Sequence, residues 1–377
     1  MSYKIKIVLS LISFILCLNG CKRNSPQKEQ STPEETIALR NTFKNSFYIG
    51  AAINDEVING VDTLALKLID NEYNTLSPEN IMKWMFLQPG PDTFYFDLAD
   101  KYVALGEKNN MHIVGHTLLW HSQIADFMNE IKDSIVMAGH LENHINTIVG
   151  RYKGRIHTWD VVNEALNEDG TLRESLFFEV MGKDYIEYAF KLADAADPQA
   201  ELVYNDYNLW KPEKRNGVVQ LVKKLQAKGV KIDGVGMQAH WSINDPELED
   251  IENSIIAYND LGVKVMFTEL DITVLPNPWD LEGAEISQNF EGSEFMNPYP
   301  KELPDSVQVK LAKRYEDIFK LFLKHKDKIS RVTFWGVNDG GSWLNDWPIK
   351  GRTNYPLLFD RHYQPKKAYE KVIALKN

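Results

Sequence analysis

Cysteine is almost absent from this chain: only Cys17 and Cys21 occur in 377 residues, and both stand before residue 22. A domain that folds after them has no thiol for a disulfide, so its stability must come from its core. An excess of positive charge is also absent, because 53 Asp and Glu outnumber 42 Lys and Arg, for a formal charge of −11. Such an acidic surface repels phosphate backbones, which excludes nucleic acid as an expected partner.

Long hydrophobic runs are scarce. The apolar run from Ile7 to Leu18 follows Lys4 and Lys6, and it is shorter than the roughly 20 residues of a membrane-spanning helix. The pattern predicts a signal peptide over residues 1–20. Leu18 to Cys21 resemble the lipobox of bacterial lipoproteins. The resemblance implies that Cys21 is lipidated and that the protein is exported and anchored in the outer membrane or at the cell surface. An ordinary secretory signal and a secreted protein are the alternative.

The rest of the chain divides into a short linker and one domain. Residues 21–44 are predicted to form a flexible tether, because the stretch up to about Thr36 is rich in Lys, Gln, Ser, Pro and Glu. Residues 45–377 are predicted to form a single domain, since no further linker or low-complexity segment interrupts them. A monomer is the default expectation.

Short apolar runs alternate with amphipathic stretches of helical period beyond residue 45. The predicted strands are 47–52, 72–76, 112–117, 156–162, 201–205, 234–238, 264–269 and 332–337. Eight alternations of strand and helix predict an α/β fold of the (β/α)₈ or TIM-barrel type. A doubly wound open sheet is the alternative, but no G-x-G-x-x-G follows the first strand.

Polar and aromatic residues follow nearly every predicted strand, at the end where barrel enzymes carry their active sites. Glu164 and Glu269 end two such strands, 105 residues apart. A barrel would bring them together. Two carboxyl groups at one site are what the cleavage of a glycosidic bond requires, because one protonates the leaving oxygen and the other attacks the sugar or activates water.

Seven short motifs resemble those of the glycoside hydrolase family 10 endo-β-1,4-xylanases. They are PENIMKW (78–84), GHTLLWH (115–121), WDVVNEA (159–165), YNDYN (204–208), GMQAH (236–240), TELD (268–271) and FWGV (334–337). The resemblance covers the chain from about residue 45 to its end. It implies hydrolysis of internal bonds of xylan and xylo-oligosaccharides, with retention of anomeric configuration and with no metal or organic cofactor.

The resemblance also implies roles for individual residues. Glu164 is similar to the family's acid/base and Glu269 to its nucleophile. Asn163 resembles the residue that binds the sugar 2-hydroxyl. Gln238 and His240 resemble the polar partners of the nucleophile. The other implied substrate-binding residues are Glu79, Asn80, Lys83 and His116 as hydroxyl binders, Trp120, Trp335 and Trp343 as stacking faces, and Tyr207 on the leaving-group side. Asp271 is expected to be a structural acceptor.

Several alternatives remain open at this stage. A metal site of His112, His116, His121 and His240 is disfavoured, because His112 opens its strand and would point away from the C-terminal face of the barrel, and no H-x-H pair stands on the first strand. A β-1,4-glucanase or a hydrolase of mixed specificity is the nearest enzymatic rival, although Trp335 and Trp343 would crowd a 6-hydroxymethyl group. A non-catalytic glycan-capture lipoprotein would not need both glutamates. The long connection 275–305 could shape distal subsites or simply pack on the barrel.

Overall fold

The computed structural model of the protein describes residues 37–281 and 283–375. The predicted signal peptide, the lipidation site Cys21 and most of the predicted tether lie outside these residues. They therefore stay predictions.

The strands lie within the ranges expected from the sequence or close to them. They are β1 Tyr48–Ile53, β2 Thr75–Pro78, β3 His112–Trp120, β4 Thr158–Asn163, β5 Glu201–Asp206, β6 Gly234–Met237, β7 His240–Ser242, β8 Lys264–Thr273 and β9 Ile329–Phe334. Neighbouring strands pair in the order β6-β5-β4-β3-β2-β1-β9-β8, and a further pairing of β6 with β8 closes the ring. All these pairings are parallel. The predicted (β/α)₈ barrel is confirmed.

Helices surround the barrel and connect its strands. They are α1 Leu39–Thr42, α2 Asp55–Ile58, α3 Thr63–Glu72, α4 Trp84–Leu87, α5 Asp97–Lys108, α6 Ser134–Arg151, α7 Leu176–Met181, α8 Tyr185–Ala196, α9 Pro212–Ala227, α10 Leu248–Asn259, α11 Asp305–Lys324 and α12 Lys367–Ile373. In α11, Leu311, Tyr315, Ile318 and Phe322 recur every three or four residues and are buried, which is how an amphipathic helix covers a sheet. Among the described residues, no helix combines the length and apolar character needed to cross a membrane.

The folded domain begins earlier than the predicted boundary at residue 45. Leu39 and Phe43 are fully buried, and the ring of Phe43 lies 5.2 Å from Phe47 and 5.3 Å from Phe319. Residues 39–43 therefore belong to the folded domain and not to a flexible tether. The sequence concealed this because charged and polar residues separate Leu39 from Phe43.

One strand of the barrel is interrupted at the site. β6 pairs with the first half of β8 at Lys264–Phe267, whereas β7 pairs with its end at Asp271–Thr273. Between β6 and β7 lie Gln238 and Ala239, and Ala239 has a φ of 68°. β6 and β7 therefore follow one another along β8 and are separated by an irregular turn. The predicted strand 234–238 covers β6 and the first residue of this turn.

We predict that Gly50→Ala destabilises the barrel. A Cβ at residue 50 would lie 2.0 Å from the carbonyl oxygen of Thr75 on β2, so β1 and β2 would have to separate. The free energy of unfolding should fall by about 3 kcal/mol or more. Guanidinium unfolding checks this, with Gly139→Ala as the control: residue 139 lies in α6 with open space around it, and alanine there should add about 0.5–1 kcal/mol. Equal stability of both variants would contradict the packing described.

Candidate active site

A cavity of about 230 Å³ lies at the end of the barrel where the carboxyl termini of the strands meet. Twelve of the thirteen residues predicted to act in catalysis or substrate binding line it: Glu79, Asn80, Lys83, His116, Trp120, Asn163, Glu164, Gln238, His240, Glu269, Trp335 and Trp343. Gln123, Ala284 and Ile286 also line it and were not foreseen. Larger cavities exist elsewhere, but this one holds both glutamates.

Glu164 follows the last residue of β4 and is buried. Its backbone has a φ of 56°, a strained conformation for a residue with a side chain. The carboxyl group accepts hydrogen bonds from Nε1 of Trp120 at 2.7 Å, from Nε2 of Gln238 at 2.8 Å and from Nδ2 of Asn163 at 3.3 Å. These three donors fix the orientation of the carboxyl group.

The environment of Glu164 favours its protonated form. Burial is the largest cause and raises the pKa of Glu164 above its usual value, and the nearby carboxylate of Asp206 adds to the effect. The charge of His121 and the hydrogen bonds from Gln238 and Trp120 oppose it without cancelling it. A raised pKa lets a carboxyl group hold its proton to higher pH, which is what a general acid requires.

Glu269 lies on β8 and has the opposite electrostatic environment. Burial alone would raise its pKa, but a hydrogen bond from His240, the charges of His116 and His240 and a hydrogen bond from Asn205 lower it below the usual value. The distances are 3.1 Å from Nε2 of His240 and 2.9 Å from Nδ2 of Asn205. Glu269 is therefore held ionised, as a nucleophilic carboxylate must be.

His240 stands between two carboxylates. Its Nδ1 lies 3.0 Å from Oδ2 of Asp271, and its Nε2 faces Glu269. Burial lowers the pKa of His240, but Asp271 and Glu269 outweigh burial and raise it to about 10. Nε1 of Trp343 donates to the same Asp271 oxygen at 2.8 Å. Asp271 thus acts as the structural acceptor that the sequence suggested, and it orients both His240 and Trp343.

Asn205 connects the two glutamates and was not among the predicted site residues. Its Nδ2 donates to Oδ1 of Asn163 and to Oε1 of Glu269, both at 2.9 Å, and Thr268 donates to its Oδ1 at 2.6 Å. Gln238 reaches the same Asn163 oxygen at 3.4 Å. The position of Asn205 near the end of a predicted strand was the available signal.

The predicted hydroxyl binders form a second group. Nζ of Lys83 donates to Oδ1 of Asn80 at 2.8 Å and lies 4.9 Å from the centre of the Trp120 ring. Burial lowers the pKa of Lys83 and raises that of Glu79. Nδ1 of His116 lies 2.9 Å from Oδ2 of Asp160. These buried polar groups present donors and acceptors to the cavity, which suits a ligand rich in hydroxyl groups.

The tryptophans differ in what holds them. The centre of the Trp335 ring lies 5.5 Å from that of His116 and 6.3 Å from that of His240, and both contacts are edge-on. Trp343 stacks on Trp347 at 4.4 Å. Trp120 has its indole N–H bound to Glu164, so it supports the candidate acid as well as lining the cavity. All three line the cavity, and an aromatic side chain there suits the apolar face of a sugar ring.

Tyr207 is the one predicted site residue that does not line this cavity. It is 4% exposed, its hydroxyl accepts from Nη2 of Arg173 at 2.7 Å, and Nζ of Lys214 lies 3.6 Å from its ring centre. The connection 275–305 passes close by, because a Cβ at Gly283 would lie 2.4 Å from the Tyr207 ring. The sequence could not show this contact between distant segments.

Glu285 belongs to the same connection and was also missed. Its carboxylate accepts from Arg173 at 3.0 Å and lies 3.2 Å from Nε2 of His121. The hydrogen bond with His121 is the largest cause that lowers the pKa of Glu285 to about 2. Part of the connection therefore packs at the site. No sequence signal marked Glu285, because it stands in a stretch without periodicity.

The histidines do not assemble a metal site within residues 37–281 and 283–375, where no group of three or more His, Cys, Asp or Glu is arranged to hold a metal ion. His112 lies at the start of β3, where burial lowers its pKa to about 3 and its Nε2 pairs with Thr158 at 2.8 Å. His116, His121 and His240 each pair with a carboxylate.

Comparison with known proteins identifies the class to which this barrel and its paired carboxyl groups belong. The family description "Glycosyl hydrolase family 10" matches residues 38–375. The chain therefore belongs to glycosyl hydrolase family 10.

Individual relatives are similar over nearly their whole length. Endo-1,4-beta-xylanase A of Xylanibacter ruminicola is 44% identical over 342 residues, which cover 89% of this chain and 93% of that protein. An endoxylanase of the same family from a sugarcane soil metagenome superposes with a TM-score of 0.87 at 47% identity, covering 90% of this chain and all of the other. A mutant protein solved in complex with xylotriose has a TM-score of 0.81 at 33% identity, covering 90% of this chain and all of its own.

We predict that His240 stays protonated through neutral pH, because two carboxylates face its ring. Its ¹⁵N imidazole shifts should move only as the pH approaches about 10, and Asp271→Asn should bring this transition to lower pH because one carboxylate charge is lost. The stabilisation from His240 should be full below its unfolded pKa of roughly 6.5 and disappear as the pH rises through the folded value. The spectrum of His240→Gln assigns the signal. A transition near 6.5 in the parent would refute this account.

Proposed function

We propose that this chain hydrolyses internal β-1,4 bonds of xylan with retention of anomeric configuration, with Glu164 as acid/base and Glu269 as nucleophile. The observation that carries the proposal is one cavity that holds two buried glutamates whose pKa values are shifted in opposite directions. Family membership and the xylanases among its relatives support the reaction and the substrate.

In the first step, the carboxylate of Glu269 attacks the anomeric carbon while Glu164 gives its proton to the departing oxygen. His240 and Asn205 already bind Glu269 as the carboxylate. The nucleophile therefore needs no rearrangement before it reacts. The donors on Glu164, Trp120 and Gln238, hold the acid in place.

In the second step, water releases the sugar from Glu269. Once Glu269 is esterified its negative charge is gone, so Glu164 ionises more easily and can take a proton from the attacking water. The amide of Asn163 would bind the 2-hydroxyl, a contact that strengthens as the sugar acquires oxocarbenium character. Asn205 and Gln238 fix the orientation of that amide by donating to its oxygen.

Xylose is favoured over glucose by the surroundings of the cavity. Trp335 and Trp343 line it beside His240, where they would crowd a 6-hydroxymethyl group. Glu79, Asn80, Lys83 and His116 supply polar contacts to the ring hydroxyls. A glycan-capture protein would keep such contacts, but it would have no use for two carboxyl groups whose pKa values are shifted in opposite directions. A β-1,4-glucanase would require Trp335 or Trp343 to move.

The decisive experiment is real-time proton NMR on a mixture of xylohexaose and cellohexaose. We expect new β-anomeric xylose ends to appear before α ends, and xylohexaose to be consumed first. Initial α ends would refute retention, consumption of cellohexaose first would favour the glucanase, and no cleavage of either sugar would favour the capture protein.

Variants of the two glutamates extend the same test. Glu269→Ala should abolish nearly all turnover. Glu164→Ala should slow xylan hydrolysis about 10²–10⁴-fold but spare the first step with nitrophenyl leaving groups, which need no proton. The exposed Glu249→Gln is the matched control and should act like the parent. Unchanged xylan hydrolysis in both site variants would remove the catalytic assignment.

We further propose that the protein is exported and held at a bacterial membrane by a lipid on Cys21, with residues 22–36 as the tether. The Lys4 and Lys6 start, the apolar run and the lipobox-like Leu18–Cys21 support this. A monomer is proposed as the active state, because the residues of a single chain complete the cavity.

We predict that Cys21→Ala shifts the protein from the membrane fraction to the soluble fraction of a bacterial host, because the acylated thiol is lost. Incorporation of a labelled fatty acid measures the modification directly. Cys17→Ala is the matched control and should remain labelled. Equal labelling of the parent and Cys21→Ala would support the ordinary secretory signal.

A further inference from the structure

The segment Gly283–Ile286 of the long connection separates two cavities. Ala284 lines both the catalytic cavity and a neighbouring one of about 320 Å³, Ile286 lines the first and Gly283 the second. His240 is also shared by the two. The neighbouring cavity presents three tryptophans, Trp210, Trp241 and Trp347, beside polar groups such as Asn208 and Asp245. Aromatic faces next to hydrogen-bonding groups suit sugar rings.

Glu285 holds this segment in place through charge. Its Oε2 atom is shared between Nη1 of Arg173, at 3.0 Å, and Nε2 of His121, at 3.2 Å. The three side chains are only 16–20% exposed, so the interaction is stronger than that of an exposed ion pair. Arg173 follows β4 and His121 follows β3, so the contact joins the connection after β8 to the opposite side of the cavity.

Arg173 carries the contact to the catalytic machinery. Its Nε donates to the carbonyl oxygen of Glu164 at 3.1 Å, and its Nη2 donates to the hydroxyl of Tyr207. Gly283 lies against the ring of Tyr207, and Tyr207 is only 4% exposed. Ala284 and Ile286 of the segment line the catalytic cavity, whereas Tyr207 does not.

We propose that Glu285 is a positioning residue for the part of the xylan chain that departs: by holding Gly283–Ile286 against His121 and Arg173, it fixes the wall between the catalytic cavity and the neighbouring cavity that receives the leaving xylosyl units. This inference rests on the proposed function. It assigns to the neighbouring cavity neutral β-1,4-linked xylose units attached through the oxygen that Glu164 protonates. Because Arg173 binds both Glu285 and the backbone of Glu164, it fixes the position of the wall relative to the acid.

The test compares two substrates with the same sugar units on the retained side. Xylohexaose places xylose units against the wall, whereas 4-nitrophenyl β-xylobioside places only an aryl group there. For Glu285→Gln we expect kcat/KM on xylohexaose to fall about tenfold, as for loss of one charged hydrogen bond, mainly through KM. The aryl substrate should stay within about twofold of the parent, because it places no xylose unit against the wall and its nitrophenyl group leaves without a proton from Glu164.

Two further variants make the test decisive. Glu291→Gln changes an exposed glutamate of the same connection and should leave both substrates unaffected. Ala284→Leu adds bulk between the cavities without touching the ion pair, and it should impair xylohexaose more than the aryl substrate even if Glu285→Gln fails to fold. An equal loss on both substrates, or no loss on either, in the folded variants would overturn the inference. Hydrolysis by the parent would still support the proposed function in that case.

Discussion

The site depends on the placement of one imidazolium between two carboxylates. His240 contacts Glu269 on one side and Asp271 on the other, and its charge allows Glu269 to remain ionised in a buried position. Removing a carboxylate from water without such a partner would be costly, and the group would take up a proton instead. The ionised state of Glu269, which the proposed attack on the sugar requires, therefore depends on His240.

The same arrangement explains why the two glutamates differ although both are buried. The groups that bind Glu164 are the neutral donors Trp120, Gln238 and Asn163, which fix its direction but compensate little for burial. Glu269 has a cationic partner in addition to the neutral Asn205. The charge of the hydrogen-bonding partner, and not the extent of burial, distinguishes Glu269 from Glu164. The interrupted strand makes this possible, because Gln238 before the break faces Glu164 and His240 after it faces Glu269.

The sequence predicted the barrel and most of the cavity, because both depend on local patterns. The alternation of strand and helix predicted every strand of the barrel except the short β7. The motifs at the strand ends predicted Glu164, Glu269 and ten further residues that line one cavity. The features that escaped depend on contacts between distant segments. Glu285 meets Arg173 across 112 residues, Gly283 lies against Tyr207, and Leu39 packs in the core although three polar residues separate it from Phe43. No local pattern encodes such partners.

The backbone conformation of Glu164 sets a limit on which substitutions can stabilise this protein without loss of activity. Its positive φ suits glycine or asparagine better than glutamate, so the residue proposed to donate the proton sits where the fold would prefer a different one. Substitutions at residue 164 that relax this turn would raise the stability of the protein while removing the proposed general acid. Selection for heat resistance alone would therefore act against activity at residue 164, and laboratory evolution for stability has to hold this position fixed.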